Sequence, residues 1–135
     1  MRQLSIFMIL FASVFCSCNK KEDTVKTFDG ILPIVSTSTP TTASVGQDII
    51  SNVRCELPSI SGSVIFKGFD VKEVTARRFN LNAKALYKDW ITQIGMPVMW
   101  TLDTTSNIKA TTAGQYILNF YDSTQLVKSD TVQVN

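Results

Sequence analysis

Asp70 and Glu73 stand three residues apart and could act as an acid/base pair or hold a cation. The plainer expectation is two solvated carboxylates on a strand or turn. Arg77-Arg78, next to Phe79, could read a phosphate or an acidic sugar. On a strand, however, neighbouring side chains point to opposite faces, so the two would not form one patch. Cys55 is a candidate nucleophile, but its apolar neighbours at alternate positions predict an inert core thiol. Trp90, Trp100, Tyr87 and Tyr121 could supply rings on which a sugar stacks, although large aromatics more often fill a core. Trp100 and Tyr121 are the expected exposed pair, because Tyr121 alternates away from Tyr116, Leu118 and Phe120.

Much else is excluded by composition. The 135 residues include no His. That removes His-based acid/base catalysis, Ser-His-Asp and Cys-His nucleophile systems, and the usual His-containing zinc sites. Nucleophile elbow, Walker loop, Cys-x-x-Cys pair and EF-hand loop are all missing from the sequence. The expectation is a protein without catalytic activity, cofactor or metal. With 13 basic and 11 acidic residues the net charge is +2, which gives no reason to expect a nucleic-acid partner.

The elements that would position these residues read mostly as strands. From Ile31 onward, short apolar runs alternate with Ser, Thr, Gly and Pro. Ile31–Val35 reads as an edge strand, since Pro33 cannot donate to a ladder. Ile49, Ser51, Val53, Cys55 and Leu57 share one face of a half-buried strand. Further strands are expected at 64–69, 71–79, 97–102, 115–121 and 125–134, with a Thr/Asn loop after Leu102 and a turn at Asp122-Ser123-Thr124. One segment follows a different period. Ala83, Leu86, Tyr87, Trp90, Ile91 and Ile94 fall on one helical face, Asn82 can cap its start, and Gly95 and Pro97 can end it. The spacing predicts an amphipathic helix over 83–94.

The amino terminus reads as an address. Leu4 to Phe15 is an apolar run too short to span a bilayer, which takes roughly 20 residues, but suited to a signal peptide. The run ends in Cys16-Ser17-Cys18, which resembles the lipobox of bacterial lipoproteins, in particular the loose boxes of the Bacteroides lineage. The resemblance implies a signal peptide over 1–17, removed on maturation, with diacylglycerol on Cys18. Small Ser17 would sit just before the cut. Residues 18–30 would form a tether of at most ~40 Å when extended, and residues 31–135 the domain. Lys21-Glu22-Asp23 resembles the surface-export signal of the same lineage. Several acyl chains would hold the protein stably at a membrane.

The carboxyl-terminal third carries a second resemblance. Thr112-Ala113-Gly114-Gln115-Tyr116-Ile117-Leu118 is similar to the Asp-x-Gly-x-Tyr-x-Cys stretch of immunoglobulin-like domains. There the Tyr makes a corner before strand F, and the Cys bonds strand B. Thr112 replaces the Asp here and Leu118 the Cys, with Cys55 on the candidate strand B and Phe66 near the site of the buried Trp. The resemblance implies a mainly β, immunoglobulin-like antiparallel β-sandwich, with the helix inserted. Asp23-Thr24-Val25, Asp103-Thr104-Thr105, Asp122-Ser123-Thr124 and Asp130-Thr131-Val132 resemble the O-glycosylation signal of Bacteroides-type envelope proteins. They make Thr24, Thr104, Ser123 and Thr131 candidate acceptors, with Asp103 and Asp122 expected in loops.

The function expected from all this is a lipid-anchored, non-catalytic binding module of the outer membrane, facing the periplasm or the cell surface. Its partner would be an envelope protein or a glycan. The competing expectation is a structural or accessory subunit that docks through an edge strand or the helix.

Overall fold

The computed structural model describes residues 25–58, 61–91 and 99–135, side chains at 61, 62 and 89–91 excepted. Nine strands run through these residues: β1 (Thr27–Leu32), β2 (Ile34–Ser38), β3 (Thr42–Ala43), β4 (Asp48–Pro58), β5 (Ser61–Thr75), β6 (Arg78–Ile91), β7 (Met99–Lys109), β8 (Gly114–Asp122) and β9 (Gln125–Val134). They form two sheets. The larger has the order β1-β6-β8-β9-β3, with β5 on the other edge of β6; the smaller has the order β2-β4-β7. No helix occurs among the described residues.

The helix expected over 83–94 is replaced by β6 as far as Ile91; positions 92–94 lie outside the described residues. Two periods compete in this segment. Ala83, Leu86 and Tyr87 satisfy a helical face, while Leu81, Ala83, Ala85 and Tyr87 satisfy a strand face. The second set is the buried one, at 5% exposure or less. Tertiary pairing decides between them. Along one edge of β6 lies β5, paired from Ser61 to Thr75. The other edge is shared: β8 pairs with Arg78–Asn82 and β1 with Ala83–Lys88. A strand with ladders on both edges satisfies its backbone groups more fully than a solvent-capped helix of the same length.

The sheets are not wholly antiparallel, as the resemblance implied. β3 runs parallel to β9 and β6 parallel to β8. Both parallel pairs are reached by long connections. After β1 the chain leaves the larger sheet at Pro33, pairs with β4 as β2, and returns to the far edge of the larger sheet as β3. β7 also extends to Lys109, through the stretch expected to be a Thr/Asn loop. Asp103 therefore lies within a strand. Its neighbours alternate between an outward set (Thr101, Asp103, Thr105, Asn107) and an inward set that ends in buried Ser106 and Ile108.

Inward residues of both sheets make a single core. Leu32, Ile49, Cys55, Leu81, Ala83, Leu118, Phe120, Val132 and Val134 are fully buried in it. The strand expected over Ile49–Leu57 has the alternation foreseen for it, with all five inward residues buried. Cys55 and Leu118 belong to the same cluster, as does Tyr116. The Tyr116 hydroxyl accepts the N–H groups of Thr111 (3.0 Å) and Thr112 (3.2 Å), fixing the turn that leads into β8. A hydroxyl bonded to backbone a few residues upstream is the geometry of a tyrosine corner.

Candidate functional site

Two surfaces of the larger sheet and its end carry most of the organised polar chemistry. The first is its outer face. Because Leu81 and Ala83, like Tyr116, Leu118 and Phe120, point inward, Asn80, Asn82, Asn119 and Tyr121 point out. Strand register puts Asn80, Asn119 and Ser129 in one row across β6, β8 and β9. Their side chains interlock: Ser129 Oγ donates to Asn119 Oδ1 (2.8 Å), and Asn119 Nδ2 donates to Asn80 Oδ1 (3.1 Å). The Asn80 nitrogen is left facing solvent with hydrogens to give. One row further along, the Asn82 amide faces the carbonyls of Tyr121 and Ser123; assigned as those two acceptors require, its nitrogen lies 3.2 Å from each. Half-buried Tyr121 stands beside it. Asp70 and Lys72 border these rows on β5, and Asp70 is paired with Lys84 (3.2 Å). The result is a row of held amides and a hydroxyl next to an aromatic ring.

The second surface is a cleft at the end of the molecule where β5 turns into β6. Its volume is about 480 Å³, and Glu73, Arg77, Phe79, Lys109, Thr112 and Tyr116 contribute to its lining. The turn is tight: Arg77 adopts a left-handed φ of 63°. Its backbone N–H donates to Glu73 Oε1 (3.2 Å), its carbonyl accepts from Ile117 (2.8 Å), and its Nη1 donates to the Ala113 carbonyl (2.7 Å). Phe79 lies parallel over Tyr116, with ring centroids 6.2 Å apart. Burial raises the pKa of Tyr116, and the hydrogen bonds from Thr112 and Thr111 more than offset this, bringing the phenol down to about 8.

The residues singled out from the sequence are distributed over these features. Asp70 and Glu73 do not act as a pair: one is bonded to Lys84 and the other to the turn at Arg77. Arg77 and Arg78 do not lie on one strand as the alternation argument assumed: Arg77 is in the turn and Arg78 opens β6, exposed. Cys55 is fully buried, and its thiol is pushed up to about 11, first by burial and then by the charge of Asp103. A thiol so protonated at neutral pH is a poor nucleophile. Trp100 and Tyr121 are not brought together: Trp100 is on β7 of the smaller sheet and packs inward against the core, while Tyr121 is on the outer face of the larger sheet. Tyr87 is buried, stacks on Phe28 at 5.0 Å and donates its hydroxyl to the Ile31 carbonyl (2.8 Å). Its ring lies so close to Gly30 that a Cβ there would meet Cε2 at 2.6 Å.

Of the candidate acceptor residues, Ser123 is exposed in the β8–β9 turn and Thr131 is exposed on β9. Thr104 is half-buried on β7, a strand position and not the expected loop. Thr24, Cys18, the signal peptide over 1–17, most of the tether and the Trp90 side chain lie outside the described residues. Among the described residues no group of three or more Cys, Asp or Glu is placed to hold a metal ion.

One polar cluster went unseen in the sequence. Asp130 points inward from β9, with its side chain 11% exposed, and meets the other sheet. Its Oδ2 accepts from Thr37 (2.8 Å) and Thr39 (2.7 Å), and its Oδ1 lies 3.1 Å from Lys128 Nζ. Thr39 Oγ1 is also 2.8 Å from the buried Ser51 Oγ. A hydroxyl carries one proton and a carboxylate only accepts, so Ser51 donates to Thr39 and Thr39 to Asp130. Burial raises the Asp130 pKa, but the bonds from Thr39, Thr37 and Lys128, with the Lys128 charge, prevail and lower it. The cluster ties one sheet to the other. It offers no opening for a substrate, because its hydroxyls and its acid are spent on each other.

The fold and these surfaces define a mainly β domain of two sheets around one core. No protein-family model matches the chain, and no curated protein or solved structure matches it either.

Proposed function

We propose that this protein is a lipid-anchored, non-catalytic binding module of the bacterial envelope, with an immunoglobulin-like sandwich as its domain. In this reading residues 1–17 are a signal peptide, Cys18 carries the lipid, and the domain recognises a glycan or protein at the outer membrane. The observation that carries the binding role is the outer face of the larger sheet. There Asn80, Asn119 and Ser129 are locked in one row beside Tyr121, with donors to spare. Planar amides held in place, next to a ring, suit a hydroxyl-rich ligand: the donors meet its oxygens and the ring meets its C–H face. Thr24, Thr104, Ser123 and Thr131 remain candidate O-glycosylation positions, Ser123 and Thr131 being the accessible ones among the described residues.

The test is a glycan array probed with the folded protein and with the Asn119→Ala/Tyr121→Ala variant. Binding that disappears in the variant supports the reading. A silent array together with an empty pull-down from envelope extracts overturns it. Metabolic labelling with palmitate, lost in Cys18→Ser, tests the anchor separately.

A second reading, an accessory subunit docked through an edge strand, is favoured by β7. Among the described residues it pairs with β4 alone, over eleven residues from Met99 to Lys109 without a register shift. No described strand lies along its other edge, which leaves that edge available to a strand from a partner. In-cell crosslinking that traps one stoichiometric partner through β7 would favour this reading over the first.

A further inference from the structure

The lining of the cleft at the β5–β6 turn includes two cationic residues that the sequence keeps 32 residues apart, Arg77 and Lys109. Neither makes a salt bridge among the described residues, whereas Arg54, Lys84 and Lys128 each do. The contrast with the groove on the outer face of the smaller sheet is instructive. That groove has a similar volume, about 490 Å³, but Arg54, the one cation of its lining among the described residues, is already 2.9 Å from Glu56 and 4.0 Å from Asp103. In the cleft, Arg77 is held rather than neutralised. Nη1 is fixed by the Ala113 carbonyl, and the guanidinium lies against Gly114, where a Cβ would come within 2.5 Å of Nη1. Gly114 has a φ of +130°, a backbone conformation that disfavours any side chain there and so keeps the space the guanidinium occupies. A guanidinium so pinned keeps its remaining N–H groups for a ligand at little cost in ordering.

The rest of the lining narrows the ligand. Phe79, supported from below by Tyr116, offers an apolar ring face. Glu73, also in the lining, has one oxygen engaged by the turn and can accept hydroxyl protons with the other. Two cations, one acceptor and one ring face describe a molecule with a carboxylate, neighbouring hydroxyls and a flat C–H surface. We propose that this cleft binds a uronic acid residue of an acidic glycan. Its carboxylate lies between Arg77 and Lys109, its hydroxyls donate to Glu73, and its ring lies on Phe79. The proposal deepens the binding-module reading and rests on it only for the glycan source of the carboxylate.

The experiment is an NMR titration of the full chain with trigalacturonic acid, compared with galactose, acetate and inorganic phosphate. Saturable shifts at Arg77, Phe79, Lys109 and Thr111 are expected with the uronide, and none with galactose. Affinity should fall with added salt and drop about tenfold in Lys109→Gln, roughly one charge-assisted bond. Lys109→Gln changes an exposed strand end and leaves the fold intact; Arg77→Gln, checked by its spectrum, should lose as much or more. Uronide shifts that miss the cleft, an unchanged affinity in Lys109→Gln, or acetate or phosphate binding as tightly would each overturn the proposal. Neutral-glycan binding at the Asn119/Tyr121 face is scored independently. If it survives while the uronide fails, this proposal falls and the wider reading stands; if both fail, both fall.

Discussion

The two long sides of this molecule are finished in opposite ways. On one side β2 of the smaller sheet meets β9 and β8 of the larger. Asp130 bridges the sheets there, with Lys128 Nζ donating to the Thr37 carbonyl (2.7 Å) beside it. On the other side β5 and β7 both end their sheets, and nothing among the described residues bridges them in the same way. The larger sheet has six strands against three, so β5 reaches past the smaller sheet. Its inward residues Val64, Phe66 and Phe69 stay half-buried, and Val71 is 41% exposed. The two free edges also differ. β5 is broken by three register shifts and by Gly68 at φ 99°, whereas β7 has no irregularity. Bulges and twists are how natural edges resist unwanted pairing. The lesson is that the closed side is built for stability, and the open side keeps one edge protected and one available.

The largest effect should come from comparing side chains across this divide. Phe120 is fully buried toward the closed side, so Phe120→Ala should cost about 3–5 kcal/mol. Phe66 is only half-buried in the overhang and stacks edge-on with Phe69 at 5.4 Å. Phe66→Ala should cost about 1–2 kcal/mol, because water can enter and no sealed cavity is left. Urea unfolding of both variants checks this; equal losses would mean that the β5 side is as closed as the other.

Asp130→Ala is next, at about 2–3 kcal/mol, since it leaves the hydroxyls of Thr37 and Thr39 and the Lys128 ammonium without their acceptor. The acid also sets a pH dependence. Its folded pKa is depressed below the unfolded value, so its contribution is complete above about pH 4 and is lost as pH falls through the folded pKa. Stability curves of the native chain and of Asp130→Asn should therefore converge in acid, draw apart as pH rises through the folded pKa, and reach their full separation by about pH 4. Parallel curves would remove the carboxylate from the account.

A smaller loss tests the end that joins the two sides. Tyr116→Phe keeps the ring in the core and removes the acceptor for the Thr111 and Thr112 N–H groups, at about 1–2 kcal/mol. Hydrogen exchange should speed up at those two amides and not along β4. Uniform acceleration would make the loss a global one.

How much of this was legible depends on whether the signal is local. Alternation in Ile49–Leu57 and in Tyr116–Phe120 is a local record of one buried and one wet face, and both strands formed as read. The bonds of Tyr116 to the Thr111 and Thr112 N–H groups are also local, since donor and acceptor lie within five residues, but the expectation of a corner there came from the resemblance to immunoglobulin-like domains and not from the alternation. The segment around Ala83 was ambiguous because its small and apolar residues satisfy both periods. The choice was made by β1, β5 and β8, which are distant in sequence. The lower half of β7 was illegible because Thr104 and Ser106, at inward positions, are polar; Ser106 is buried with its Oγ unpartnered. The Asp130 cluster joins residues 91 and 93 apart, and the cleft lining includes both Arg77 and Lys109. Composition cannot bring such residues together; only the crossing of the chain between sheets does.

The smallest change in stability should accompany the largest change in behaviour at the open edge. Asn107 points outward from the middle of the lower half of β7 and is exposed. Asn107→Lys puts a charge on that edge without touching the core, so unfolding should shift by less than about 0.5 kcal/mol. Strand addition is another matter: an incoming chain would have to lie against the new ammonium and desolvate it. Any association running through β7, whether with a partner or with a second copy at high concentration, should weaken in the variant. Association measured by light scattering or crosslinking should fall while urea midpoints stay put. The same substitution on the bulged edge, Val74→Lys, is the control, because it lies within the register shift between Glu73 and Thr75 and no strand is expected to add there. If Val74→Lys suppresses association and Asn107→Lys does not, the roles of the two edges are reversed, and β5 is the docking strand despite its bulges.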